Sequence, residues 1–243
     1  MLAETVGIRG HEDDLVEAYA ARPMAPGPRG GVIVIHHRNG HDRESKEAVR
    51  TLAVMGYNAI CVNLYSREAP GASPDDAAAA VRARGGVPDG RFVGDAKGAA
   101  RWLRDLPASN GKAGAIGFCS GGRHALLASM EVDLQAAVDC YGAFVIEPPP
   151  PDYPTGAVPL AGRIAEVGAP LLGLFGNEDT HPLPEHVDRL EKLLQEHGKT
   201  YEFQRYDGAG HAFFSVDRPA YRPEAAVDGW RRVRDFFAAH LGS

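Results

Sequence analysis

The chain has 243 residues, of which 44% are hydrophobic and 24% charged, an ordinary globular composition that supports a sizeable core in a single domain spanning 1–243. A formal net charge of -6 gives no broad attraction to phosphate backbones or anionic membranes, so neither nucleic acid nor a membrane is an expected partner. Acidic residues interrupt the opening segment MLAETVGIRGHEDDL, and no apolar run approaches the roughly 18 residues of a membrane span, which makes a cytoplasmic location the expectation.

Residues 5–8 and 15–19 suggest a leading hairpin. From residue 32 onward, short apolar runs rich in β-branched residues alternate with helical patterns, the signature of βαβ units and a mostly parallel sheet. GVIVIHH reads as a buried strand, ESKEAVRTLAVMG as its crossover helix and NAICVNLY as the next strand. DDAAAAVRARGG and DAKGAARWLRDL are helical by period, punctuated by Pro74, Gly85, Gly86, Pro88 and Pro107. KAGAIGF is a strand that runs without a spacer into the helix CSGGRHALLASM. LQAAVDCYG and APLLGLFG are further buried strands, and the proline-rich EPPPPDYPTGAVP between them reads as a surface loop. LPEHVDRLEKLLQEHG is an amphipathic helix, TYEFQRYDG an alternating strand and EAAVDGWRRVRDFFAAHL a closing helix.

The strongest chemical signal is Gly117-Phe118-Cys119-Ser120-Gly121-Gly122, a cysteine version of the G-x-S-x-G turn between a strand and a helix. Such a turn strains the backbone at the nucleophile and needs flanking glycines, because side chains there would strike the neighbouring strand and helix. It also sets Cys119 at the positive end of a helix dipole, where a thiolate is favoured over a thiol. The other cysteines, Cys61 and Cys140, lie in apolar strand patterns and read as packing residues; three widely spaced cysteines suggest neither disulfides nor a thiolate zinc site.

A cysteine nucleophile needs a base and a group that orients the base. In a strand–turn–helix scaffold of this kind the acid and then the histidine follow the nucleophile on loops at strand C-terminal ends. Asp179, in Gly176-Asn177-Glu178-Asp179, and His211, in Gly208-Ala209-Gly210-His211, satisfy that order, with Glu178 as the rival acid. The aromatic neighbours Phe213 and Phe214 suggest an enclosed site. His36, His37, His41 and Asp42 have metal-ligand chemistry, but adjacent strand residues face opposite sides, so no metal is expected there and His37 is placed instead beside Cys119.

The blocks GVIVIHHRNG, NLYSREAPG, SNGKAGAIGFCSGG, LLGLFGNED and YDGAGHAFF resemble, in order and spacing, those of the dienelactone hydrolase family. The resemblance implies an α/β-hydrolase fold without a large lid domain, hydrolysis of a small ester or lactone through a thioester, and no cofactor. It implies Cys119 as nucleophile, Asp179 as orienting acid, His211 as base, and the backbone N–H groups of Arg38 and Ser120 as oxyanion hole. His37, Arg123 and Phe213 are the residues expected to bind substrate or activate the thiol. Two features differ from the family pattern: His37 stands where members carry a glutamate, and Phe214, Ser215 and Val216 stand where a substrate-gripping arginine is found; Arg218 is near that place but displaced, and Arg82, Arg84 and Arg123 are candidate substitutes, against the simpler reading of each as a solvated surface charge. An esterase or thioesterase of neutral substrates and a non-catalytic thiol sensor are the alternatives, and monomer and homodimer are both open.

Overall fold

In the computed structural model, which describes residues 1–151, 153 and 155–242, one eight-stranded sheet runs through the molecule in the order β1-β2-β4-β3-β5-β6-β7-β8. β1 (Leu2–Arg9) and β2 (Leu15–Arg22) form the expected antiparallel hairpin, β1 extending beyond its apolar run at both ends and β2 at its C-terminal end. β2 pairs antiparallel with β4 (Asn58–Val62). All further pairings, through β3 (Arg29–Ile35), β5 (Ser109–Phe118), β6 (Ala136–Cys140), β7 (Leu171–Gly176) and β8 (Tyr201–Tyr206), are parallel.

Parallel strands joined by crossovers are covered on both faces, which is why the inner strands read as unbroken apolar runs rather than alternations. β4, β6 and β7 are buried along their whole length. Helices α1 (Arg43–Val54) and α6 (Pro223–Leu241) pack Leu52, Val233 and Phe237 on one face. Helices α2 (Pro74–Arg82), α3 (Asp89–Arg104), α4 (Ser120–Glu131) and α5 (Pro184–Glu196) pack Val81, Leu103, Leu126 and Leu190 on the other. Each such side chain removed from water is worth about 1.5–3 kcal/mol. Among the described residues no helix is long and apolar enough to cross a membrane.

Several boundaries differ from the sequence reading. β3 stops at Ile35, so His36 and His37 lie in the following loop and the alternation of strand side chains does not govern them. β4 likewise stops at Val62, before Leu64 and Tyr65, and α3 begins at Asp89, ahead of the periodic stretch DAKGAARWLRDL. The proline-rich stretch forms a loop in its described part, and two of its residues, Asp152 and Pro154, lie outside the described residues.

The topology fixes where a ligand can sit. From β3 the chain crosses to β4 on one side, then returns to β5 on the other side of β3. Successive connections leave in opposite directions at the C-terminal ends of β3 and β5, and in open α/β sheets that reversal opens a crevice. The loop after β3 carries His36 to Asp42, and the turn after β5 carries Cys119.

Candidate active site

Cys119 stands between β5 and α4 with φ 57° and ψ -118°, a backbone conformation that residues other than glycine rarely adopt. Two contacts hold it there: its N–H donates to the Cys140 carbonyl at 3.0 Å, and its carbonyl accepts from Gly122 N at 2.9 Å. The flanking glycines are sterically required. A Cβ on Gly117 would lie 1.8 Å from the Gly121 carbonyl oxygen, and one on Gly121 would lie 2.2 Å from that of Ile35. Positive φ also occurs at Tyr141, Phe144 and Ala212, each of which lines a cavity containing Cys119. Strain is thus concentrated around this site, the only other non-glycine positions among the described residues being Glu12 and Asp13.

The loop after β7 buries Asp179 to 3% exposure, whereas its rival Glu178 is exposed. Asp179 accepts from His181 N at 2.8 Å through Oδ1, and its Oδ2 takes His211 Nδ1 at 2.9 Å. This carboxylate fixes the imidazole with Nε2 left for another partner. Tyr141 packs its ring edge-on against His211 at 5.1 Å. Burial alone would push the His211 pKa down, but the bonds to Asp179 and Cys119 and their charges raise it to about 10. For Cys119, burial pushes the thiol up; its hydrogen bond and charge interaction with His211, the Ser120 amide and the charge of His37 outweigh that and bring it below its ordinary value. The site therefore favours a thiolate–imidazolium pair. Cys61 and Cys140 are fully buried and their thiols are pushed upward by that burial, so they are the packing residues the sequence indicates.

Two cavities open on Cys119. One, of about 750 Å³ including its opening to solvent, also reaches Ser120 and extends between α2, α3 and α4, with Tyr65, Arg82, Asp89, Arg123, Phe144 and Tyr153 in its wall. The other, of about 530 Å³ including its opening to solvent, lies among the loops at the C-terminal ends of the strands and is lined by His37, Tyr141, His211 and Arg218. A third cavity, of about 550 Å³, lies behind His37 against α1 and α6 and does not reach the sulfur.

The loop after β3 brings two of the expected residues to Cys119. Arg38 lines both cavities that contain the sulfur, and its backbone is held by the Tyr65 hydroxyl, which donates to the Arg38 carbonyl at 3.0 Å. Among the described residues no protein acceptor takes the Arg38 N–H, and the Ser120 amide, at the first turn of α4, is among the groups that lower the Cys119 thiol. His37 Nε2 meets Asp42 Oδ2 at 2.7 Å, while Asp42 Oδ1 caps α1 by accepting from Ser45 N at 3.0 Å.

The remaining histidines do not converge on one point. His36 is buried, with Nδ1 2.9 Å from the His37 carbonyl and Nε2 accepting from Leu64 N at 3.3 Å, and His41 Nδ1 lies 3.7 Å from Glu17. Ligand-type atoms of His37, Asp42 and Glu44 do lie within 4.8 Å of one another, but these side chains are already hydrogen-bonded, Glu44 to the Ser215 hydroxyl at 2.6 Å.

Two expectations about substrate contacts change. Phe213 is fully buried and lines none of these cavities; it packs beneath the site against Tyr141 and Tyr206, because the positive φ of Ala212 turns the chain inward directly after His211. Arg123 lies in the wall of the cavity between α2, α3 and α4, yet it is neither a solvated charge nor a free cation. Its guanidinium makes a bidentate pair with Asp89 at 2.7 and 2.8 Å and donates to the Val158 carbonyl at 2.5 Å. The other cations with a cavity face are Arg38, whose guanidinium also donates to the Tyr153 hydroxyl at 2.6 Å, Arg82 and Arg218, while Arg84 is exposed outside these walls. Sequence reasoning passed over Tyr65, Asp89 and Tyr141, although Tyr141 directly follows the last residue of β6 and so occupies the kind of position that identified Asp179 and His211.

Comparison with known proteins gives this arrangement of strand ends a family. The dienelactone hydrolase family profile matches residues 16–241. The chain belongs to the dienelactone hydrolase family. A Methylorubrum extorquens relative named "Putative carboxymethylenebutenolidase" is 33% identical over 229 residues, covering 93% of this chain and 77% of that protein. A Bradyrhizobium relative named "Probable 2-oxo-3-(5-oxofuran-2-ylidene)propanoate lactonase" is 32% identical over 227 residues, covering 92% of this chain and 89% of its own length. Among solved structures, that of a "Putative Dienelactone Hydrolase" from Klebsiella pneumoniae superposes with a TM-score of 0.85 at 30% identity, covering 98% of this chain and 99% of the other. This dienelactone hydrolase family member therefore has the α/β-hydrolase fold, with a mostly parallel sheet and helices on both faces.

Proposed function

We propose that this protein hydrolyses a small ester or lactone through a thioester on Cys119, with His211 as the acid–base group and Asp179 as its orienting carboxylate. The observation that carries the reading is a strained, partly exposed cysteine at a helix N-terminus whose thiol pKa is lowered by His211, itself paired with Asp179 at 2.9 Å. The relatives named as a butenolidase and a lactonase support the same bond type.

In the first half of the reaction the thiolate attacks the carbonyl carbon, and the Ser120 and Arg38 amides receive the negative charge that forms on oxygen. The carbon–oxygen bond then breaks, and His211 gives its proton to the departing oxygen. In the second half, water loses a proton to His211 as it attacks the thioester, the carbon–sulfur bond breaks, and the acid leaves with the thiolate restored. Asp179 keeps the imidazole in one orientation throughout.

Arg38, Arg82 and Arg218 line the cavities beside the sulfur, and the Asp89 carboxylate in the same wall is taken up by Arg123. That balance favours a substrate carrying a carboxylate over a neutral one. Turnover of anionic and neutral lactones by the wild-type protein and Cys119→Ala tests both statements. Loss of nearly all hydrolysis in the variant and a higher kcat/KM for the anionic lactone are expected. Undiminished turnover by Cys119→Ala would overturn the mechanism, and equal rates on the two lactones would overturn the substrate preference.

A further inference from the structure

His37 is not used by the mechanism above, yet it is the other imidazole that faces the cavity shared by Cys119 and His211. Its ring is held as firmly as that of His211. Nε2 lies 2.7 Å from Asp42 Oδ2, and the Asp42 carboxylate is itself fixed by Ser45, whose N–H and hydroxyl both reach Oδ1 at 3.0 Å. The His37 side chain is 10% exposed and that of Asp42 22%. Asp179–His211 and Asp42–His37 are thus two carboxylate–imidazole pairs carried to the cavity that Cys119 lines from opposite sides of β5, the first from the loops after β7 and β8, the second from the loop after β3.

We infer that His37, oriented by Asp42, is a second cationic partner of the Cys119 sulfur and holds a share of the thiolate that does not depend on His211. It is a positioning residue for the charge on sulfur, not a proton carrier to substrate. This rests on Cys119 being the nucleophile.

The surrounding charges agree in sign. Burial opposes protonation of His37, but the bond to Asp42 and the charges of Asp42, Glu44 and Cys119 outweigh it and raise its pKa. Reciprocally, His37 is among the groups that depress the Cys119 thiol. The groups facing His37 are Asp42, Glu44 and Glu47 from the start of α1, Cys119 from the elbow, His36 and Arg38 from its own loop, and His211 and Arg218 from the loop after β8. The acids favour the charged form of the imidazole, and Arg38 and Arg218 line the same cavity as the sulfur. Glu44 is partly committed to the Ser215 hydroxyl at 2.6 Å, which leaves Asp42 as the carboxylate that sets the ring.

The test measures alkylation of Cys119 by iodoacetamide against pH, a reaction that needs no hydrolysis. Cys61 and Cys140 are fully buried, so labelling reports Cys119. His37→Gln is expected to raise the midpoint of the thiolate titration by about one pH unit, a tenfold fall in rate on the acid side of the curve. The plateau rate at high pH rises slightly, because a more basic thiolate is intrinsically the better nucleophile. Asp42→Asn keeps a good N-cap for α1, since Asn and Asp cap equally well, and removes only the charge behind the ring. It is expected to move the midpoint in the same direction by less. In a His211→Gln background, adding His37→Gln should raise the midpoint again. Midpoints of His37→Gln and Asp42→Asn both within about 0.2 unit of wild type, in proteins that melt as wild type does, would overturn the inference. So would a double variant indistinguishable from His211→Gln, which would mean that His37 acts only through His211. Either failure, with Cys119→Ala still inactive, leaves the nucleophile assignment standing.

Discussion

Replacing Asp139 by asparagine isolates the electrostatic tension beneath the nucleophile turn. Asp139 sits in β6, fully buried, where its Oδ1 accepts the Gly142 N–H at 2.7 Å while Oδ2 has no partner among the described residues. Burial raises its pKa from 3.8 to about 7, against the smaller opposing effect of the Gly142 bond. Between those two values the folded state keeps a proton that the unfolded state has released, so stability falls as pH rises through this window. Between pH 5 and 8 the wild-type protein should lose about 3 kcal/mol from this carboxyl, taking 1.36 kcal/mol per pKa unit over the roughly two units from 5 to the folded value. The asparagine side chain has no ionisable group, so the difference in unfolding free energy between Asp139→Asn and wild type should shift in favour of the variant by that amount across the range. Urea unfolding at pH 5, 6, 7 and 8, with both proteins fitted at a common m-value, measures it. A difference independent of pH would show that Asp139 is already ionised in the folded protein and would refute this description of the strand.

Asp179→Asn should preserve the fold and lower kcat by about 10³–10⁴-fold, because the imidazole loses the carboxylate that selects its tautomer; steady-state kinetics on one lactone is sufficient to read this. Since His211 titrates near 10, kcat/KM should form a plateau that falls above that pH as the imidazolium loses the proton needed by the leaving oxygen, and a profile already falling at pH 8 would contradict the pairing. Gly117→Ala should abolish the elbow, as its Cβ would lie 1.8 Å from the Gly121 carbonyl; loss of soluble folded protein or of Cys119 labelling is the expected outcome, and a variant with normal melting and labelling would show that the turn tolerates a side chain. Burial lowers His36 to about 4, and His41 and His124 to about 3, so the unfolded chain takes up protons at these sites first as pH falls below 6.5. Stability should drop by up to about 1.4 kcal/mol per pH unit for each, partly offset by Asp139, and thermal melts from pH 7 to 5 check the sign.

The order of elements was legible because each inner strand announces itself as an apolar run and each helix by its period, and the elbow because strand, turn and helix are contiguous in sequence. Asp179 and His211 were indicated by their order after Cys119 and their places in the loops after β7 and β8, with Glu178 left as a rival acid that its exposure in the structure sets apart from the buried Asp179. The end of β3 was not legible: nothing in GVIVIHH marks Ile35 as the last paired residue, although β4 and β5 each run one residue beyond their last partner in β3. Phe213 misled for a related reason. Its place two residues after His211 suggested the cavity wall, but the positive φ at Ala212 sends it into the core, and no residue type in that stretch demands such a turn. Arg123 and Asp89 are 34 residues apart, and only the packing of α3 against α4 makes them partners. Tyr65, which braces the Arg38 carbonyl, is likewise invisible until the loops after β3 and β4 are brought side by side.

The most direct measurement is rapid quenching of the protein during turnover of an activated ester, followed by proteolysis and mass spectrometry of the peptide containing Cys119. An acyl mass on the Cys119 sulfur, formed faster than kcat and accumulating in a His211 variant slowed in the hydrolytic half-reaction, is the predicted result. Hydrolysis that proceeds at the wild-type rate while Cys119 is quantitatively blocked by alkylation would contradict it.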